Sequence, residues 1–176
     1  MSTSTQPAAT PLRGADVIAA IKRAGVRFVV ALPDRTISEK VLKPMLADAE
    51  FKVVQVCKED EGISICSGLY ATGHRAVMMM QHTGLLDSVN ALRGVAMEGK
   101  NPVCMIVGLL NKGKPGIAPK DSKAYGVRIV EPVLDALGIT HQLVETADDV
   151  EKIVPAIENA YATQTPVVLM IGTEPQ

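Results

Sequence analysis

The strongest constraint on this chain is an alternation. Short apolar runs at Phe28–Leu32, Lys52–Val56, Ala76–Gln81, Val103–Gly108, Thr140–Val144 and Pro166–Ile171 are separated by stretches of helical period. Runs of this length read as strands. Leu12–Ala24, Ser38–Ala49, Asp60–Thr72, Leu85–Gly99, Val130–Leu137 and Asp148–Ala162 read as helices, with Gly25 and Gly73 as stops. A βα unit repeated in this way predicts a doubly wound α/β sandwich, a mostly parallel six-stranded sheet with helices on both faces.

The chain has 176 residues, enough for a single domain over 12–176 but too few for two ordinary ones. It is 47% hydrophobic against 21% charged, with a mean hydropathy of +0.19, an apolar excess that fits buried parallel strands or a large interface. A net charge of −1, two Phe, three Tyr and no Trp leave neither a basic field nor a stacking platform, which argues against nucleic acid. Cys57, Cys66 and Cys104 lack metal-ligand spacing and read as buried thiols of a reducing compartment. Residues 1–11 read as a flexible leader without the pattern of a signal peptide, and no run is long enough to span a bilayer. The expected location is cytoplasmic.

Chemistry in such a sheet gathers at the carboxyl ends of the strands. Three polar clusters fall there: Pro33-Asp34-Arg35-Thr36, Lys58-Glu59-Asp60-Glu61 and Gln81-His82-Thr83-Gly84. A carboxylate at the strand-to-helix junction is placed for proton transfer, and Glu59 stands at that junction. The ordinary alternative is that acids in the first helical turn offset the macrodipole, which suits Glu61 better. Asp34 and Arg35 are read either as substrate contacts or as a turn and helix cap. His82 follows a strand and precedes Gly84, a residue that lets the backbone come close to a ligand. Met78, Met79 and Met80 read as core. Leu109–Ile129, rich in glycine, proline and basic residues, reads as a lid or contact loop, and its lysines as an anion funnel or as solubility charges. The usual nucleotide and hydrolase motifs of this fold, G-x-G-x-x-G, G-x-x-x-x-G-K-[ST] and G-x-S-x-G, are missing.

Glu59 through Gly68-Leu69-Tyr70-Ala71, followed by Met80-Gln81-His82-Thr83-Gly84-Leu85-Leu86-Asp87-Ser88, resembles the pyrimidine-binding domain of thiamine-diphosphate enzymes. Leu32-Pro33-Asp34 and Glu131-Pro132-Val133-Leu134-Asp135-Ala136-Leu137-Gly138 extend the likeness, which runs from about Leu12 to Gly172. Within that family the chain resembles the sulfopyruvate and phosphonopyruvate decarboxylases, especially the separately encoded alpha subunit of the former.

The resemblance implies that Glu59 hydrogen-bonds N1′ of the cofactor's aminopyrimidine and so promotes removal of the thiazolium C2 proton. Decarboxylation of an anionic 2-oxo acid to an aldehyde follows. It implies catalytic roles for Glu59, His82 and Asp34, cofactor contacts at Glu59, Gln81, Thr83 and Gly84, and substrate contacts at Asp34, Arg35 and His82. Two places depart from the pattern: Gln81-His82-Thr83-Gly84 stands for Gln-Asn-Ser-Gly, and Arg35 follows Asp34 where serine is usual. No G-D-G occurs, so the chain is expected to bind no metal itself, and the Mg²⁺ of thiamine diphosphate is expected on a beta subunit in an alpha-beta hetero-oligomer. A non-catalytic metabolite-binding, assembly or regulatory subunit of the same fold is the alternative.

Overall fold

The computed structural model describes residues 10–176. Its six strands are β1 (Phe28–Ala31), β2 (Lys52–Gln55), β3 (Ala76–Gln81), β4 (Cys104–Gly108), β5 (Thr140–Val144) and β6 (Val167–Ile171). They form one parallel sheet in the order β2-β1-β3-β4-β6-β5, as the alternation predicts. From β1 the chain goes outward to β2 and then returns past β1 to β3. That reversal opens a crevice at the carboxyl ends of β1 and β3.

Alternate residues of the central strands face opposite layers. Val29, Ala31, Val77, Met79, Cys104 and Ile106 pack with α1 (Gly14–Arg23), α2 (Lys43–Ala47) and α8 (Ile153–Thr163). Val30, Met78, Met80, Met105 and Val107 face α3 (Glu59–Ala71), α4 (His82–Asp87) and α7 (Val130–Leu137). Burial on both sides explains why these strands read as unbroken apolar runs. The three methionines are core, as read, and Gly62 is the point where α3 comes down onto Met78.

Several boundaries differ from expectation for physical reasons. Before α2 the helix opens with a wide turn over Ser38–Leu42, where Leu42 N–H donates to Ile37 O at 3.2 Å; Pro44 cannot donate to Lys40 O in the regular way. The helix expected at Leu85–Gly99 begins three residues earlier as α4. It is interrupted at Ser88 and resumes as α5 (Val89–Ala91) and wide turns over Leu92–Glu98. The segment 109–129 is not featureless, since it carries a short turn of helix at Pro119–Asp121 and α6 (Tyr125–Arg128). β2 is an edge strand, mostly exposed, so Glu59 follows an edge and not a buried strand. Cys66 and Cys104 are buried, but Cys57 is exposed; burial pushes both buried thiols up, Cys104 to about 12.

Of the expected leader, residues 1–9 lie outside the described residues. Pro11 bridges Thr146, and Ala147 N–H donates to Thr10 O at 3.0 Å. Among the described residues no helix is long and apolar enough to cross a membrane.

Candidate active site

Three acids lie over three glycines at the carboxyl edge of the sheet. The carboxylate of Glu59, the first residue of α3, occupies the space that a Cβ on Gly84 would need, the carboxyl group of Asp34 does the same at Gly108, and that of Glu145 at Gly172. Each acid comes from a loop or helix start after one strand and settles on the backbone at the end of another. A side chain larger than hydrogen at any of these glycines would collide with the acid, so that one of the two must shift.

Glu59 reaches from the end of β2, past β1, to the first turn of α4 behind β3. It is half-buried, and among the described residues its carboxylate has no hydrogen-bond or ion-pair partner within the chain. Its two neighbours are occupied otherwise. Glu61 turns back to accept the N–H groups of Cys57 and Lys58, both at 3.3 Å, and Asp60 lies 3.6 Å from Lys58 Nζ. The helix-start role expected of Glu61 is the one observed, while Glu59 faces the crevice. Gly84 was expected to admit a ligand; what stands against it in this chain is the Glu59 carboxylate.

β3 runs into α4 with no intervening loop, so Gln81 ends the strand and His82, Thr83 and Gly84 form the first helical turn. Gln81 Nε2 donates to Thr83 Oγ1 at 3.0 Å. His82 is only 6% exposed, with Nδ1 3.4 Å from Gly108 O. A carbonyl only accepts, so Nδ1 carries the proton and Nε2 is the free acceptor of the neutral ring. Burial holds the His82 pKa below the usual 6.5 despite the carbonyl, which pulls the other way. Gly126 of α6 leaves room for the Nε2 edge.

Asp34 is the cap that the plainer reading expected, and something more. Its Oδ1 accepts Thr36 N–H at 2.9 Å and Ile37 N–H at 2.6 Å, while its Oδ2 is buried over Gly108 with no partner. Burial raises its pKa, outweighing the amide hydrogen bonds that lower it. Gly108 thus joins Asp34 on its Cα to His82 on its carbonyl. Arg35 is not in this group; it is exposed and lines a cavity of about 580 Å³ at the ends of β4, β5 and β6.

Sequence reasoning missed the Lys112–Glu145 pair. Lys112, read as a funnel or solubility charge, is buried, with Nζ 2.5 Å from Glu145 Oε1 and donating to Ile117 O at 2.6 Å. Glu145 Oε2 accepts Gly116 N–H at 3.0 Å. The loop, read as a lid or a contact loop, is stapled to the end of β5. The partners are 33 residues apart, 145 − 112, on different elements, and no local spacing announces them.

Comparison with known proteins places the chain in a family. The family model described as "Thiamine pyrophosphate enzyme, N-terminal TPP binding domain" matches residues 13–122. The chain is 26% identical over 156 residues to the sulfopyruvate decarboxylase subunit alpha of Methanococcus maripaludis, covering 88% of this chain and 91% of that one. It is 24% identical over 156 residues to the sulfopyruvate decarboxylase of Methanosarcina acetivorans, covering 89% of this chain but only 39% of that protein's length. Among solved structures, a 2-oxoglutarate:ferredoxin oxidoreductase from Magnetococcus marinus, with 2-oxoglutarate, coenzyme A and succinyl-CoA bound, shares the fold. The TM-score is 0.60 at 17% identity, over 92% of this chain and 29% of that one. With the family model spanning more than half of its length, the chain belongs to the thiamine pyrophosphate enzymes as an N-terminal TPP binding domain.

Proposed function

We propose that this chain is the alpha subunit of a thiamine-diphosphate-dependent 2-oxo acid decarboxylase, and that Glu59 activates the cofactor's aminopyrimidine. The observation that carries the reading is the position of Glu59: a carboxylate at the reversal crevice, half out of water, without an internal partner among the described residues. An acceptor so placed suits a ring nitrogen that must carry a proton. Thiamine diphosphate, when bound, supplies the electron sink that lets a 2-oxo acid lose carbon dioxide.

The chain's own groups divide the remaining work. Glu59 holds the pyrimidine proton and orients the ring, Gly84 leaves the space in which it does so, and Gln81 and Thr83 border the same helix start. His82, neutral and anchored through Nδ1, offers Nε2 as a proton acceptor. Asp34, whose pKa burial raises, is suited to holding a proton near the reacting carbon. Substrate contacts are assigned to Asp34 and His82, with Arg35 set apart at the neighbouring cavity.

A beta subunit completes the site, because no G-D-G is present to organise Mg²⁺ and diphosphate. The surface supports such a partner. On α3, Ile65, Leu69 and Tyr70 are only partly covered, and a Cβ built on Gly68 meets nothing within 4 Å. Relatives named subunit alpha support the same reading.

The test is Glu59→Gln in the enzyme assembled with its beta subunit. Exchange of the C2 proton of bound thiamine diphosphate, followed by NMR, is expected to slow by about 100-fold or more, as for loss of a general acid–base group, with the thermal melt unchanged. Unaltered exchange and decarboxylation would overturn the reading and leave a role in assembly alone.

A further inference from the structure

The residues that α3 buries against the sheet are Gly62, Ile63 and Cys66, and Glu59 stands one turn ahead of them on the same face. Gly62 is out of place by propensity, since glycine inside a helix is disfavoured relative to alanine. Its backbone is ordinary helix, so no unusual torsion calls for it. What calls for it is space. A Cβ built there would overlap Met78 Sδ, lie 2.6 Å from Met78 Cε and stand 3.4 Å from Val30 Cγ1. Met78 has little room to withdraw: it is fully buried in β3, with Val30 and Met105 level with it on the two neighbouring strands. Close packing belongs to this end of the helix alone, because a Cβ on Gly68 meets nothing within 4 Å.

One turn earlier the same helix makes a second tight approach, where the Glu59 carboxylate fills the space beside the Gly84 Cα. Two such approaches three residues apart on one helix are coupled. A single helical turn moves as a unit, so the height of Gly62 above Met78 sets how far Glu59 projects toward α4. The turn itself is fixed by Glu61, which accepts the N–H groups of Cys57 and Lys58.

We propose, resting on the assignment of Glu59 above, that Gly62 and Met78 are positioning residues for cofactor activation. The thioether of Met78 is the stop on which α3 rests. The missing side chain at 62 lets Glu59 settle to the depth at which its carboxylate meets the aminopyrimidine. A methyl group at 62 lifts the first turn, and a misplacement of about 1 Å away from the reacting atoms can cost on the order of 100-fold in rate.

The test compares Gly62→Ala, the double variant Gly62→Ala with Met78→Val, and Glu59→Gln, each assembled with the beta subunit. Three quantities are read: C2 proton exchange of bound thiamine diphosphate, the cofactor concentration for half-maximal activity, and the thermal melt. Gly62→Ala is expected to slow exchange by about tenfold or more. Half-saturation by cofactor is expected to stay near the parent value, and the melt to change little, because better helix propensity offsets the crowding. Met78→Val removes Sδ and Cε and puts a strand-favouring side chain in their place, so the double variant is expected to recover exchange close to the parent rate. Recovery identifies one shared contact, whereas general loosening would grow worse with a second core substitution. If Gly62→Ala fails to fold, the double variant decides: parental exchange upholds the proposal, and exchange at least tenfold slower overturns it. Parental exchange in Gly62→Ala, or a loss that Met78→Val does not relieve, also overturns it while Glu59→Gln remains slow. Parental exchange in Glu59→Gln is the separate result that removes the cofactor reading and this inference with it.

Discussion

Glu59 and Glu145 are the same side chain in similar positions, each lying on a glycine at the carboxyl edge of one sheet. Glu145 is 6% exposed and has its counter-charge, Lys112, built in from the adjoining loop. Glu59 is half-exposed beside an edge strand, with no cation of its own among the described residues. The difference separates a carboxylate that holds structure from one left available. A buried charge must be paired to be tolerated, and once paired internally it has little to offer a ligand. A half-solvated carboxylate bears its charge without help, at the cost of fixing nothing until something docks on it.

The largest expected effect breaks the sealed member of the comparison. Lys112→Met strands the Glu145 charge and frees the loop carbonyls it holds, and is expected to cost about 3–5 kcal/mol in urea unfolding. Adding Glu145→Leu is expected to restore most of that loss, because an apolar pair can replace a buried ion pair. A single variant as stable as the parent would show that Glu145 is not sealed.

The glycines give a finer contrast. Gly172→Ala pushes on a carboxylate that cannot leave its lysine and is expected to cost about 1–3 kcal/mol, as overpacking does. Gly84→Ala displaces a carboxylate that can swing into water, at a helical position where alanine is favoured over glycine by about 0.5–1 kcal/mol. Its stability is expected to change little while cofactor activation falls in the assembled enzyme. Equal thermal shifts for the two variants would erase the distinction.

The smallest effect belongs to the third acid, Asp34, intermediate between the two. Burial raises its folded pKa above the ordinary 3.8, so between those values the folded state binds more protons than the unfolded one. Its contribution therefore favours the folded state at low pH and is lost as pH rises through the folded value. Asp34→Asn keeps the Oδ1 cap and removes the titration. The variant is expected to gain on the parent as pH rises from about 4 to 7 in paired unfolding curves, an effect of the linkage between proton binding and folding. A pH-independent difference would show that Asp34 is not held out of water.

That Glu59 stands at a strand-to-helix junction was legible, because the acid run and the strand before it are neighbours in sequence. The choice between Glu59 and Glu61 was not, since both fall within the first helical turn and only the path to Gly84 separates them. His82 was marked by its place after a strand, but its burial under α6 depends on a segment 44 residues away, 126 − 82. Arg35 was grouped with the crevice on proximity to Asp34, whereas the turn that Asp34 caps sends the two side chains to different places.

By itself the sequence determined the alternation, and with it the parallel sheet, the two helical layers and the buried methionine strand, because period and apolar run length are local properties that every βα unit repeats. The tertiary structure alone decided which acid meets which glycine, that Lys112 is sealed against Glu145, and that a cavity opens beside Arg35. Those outcomes depend on the order of strands across the sheet, which brings residues distant in the chain to one edge and settles charge by charge whether water or protein surrounds them.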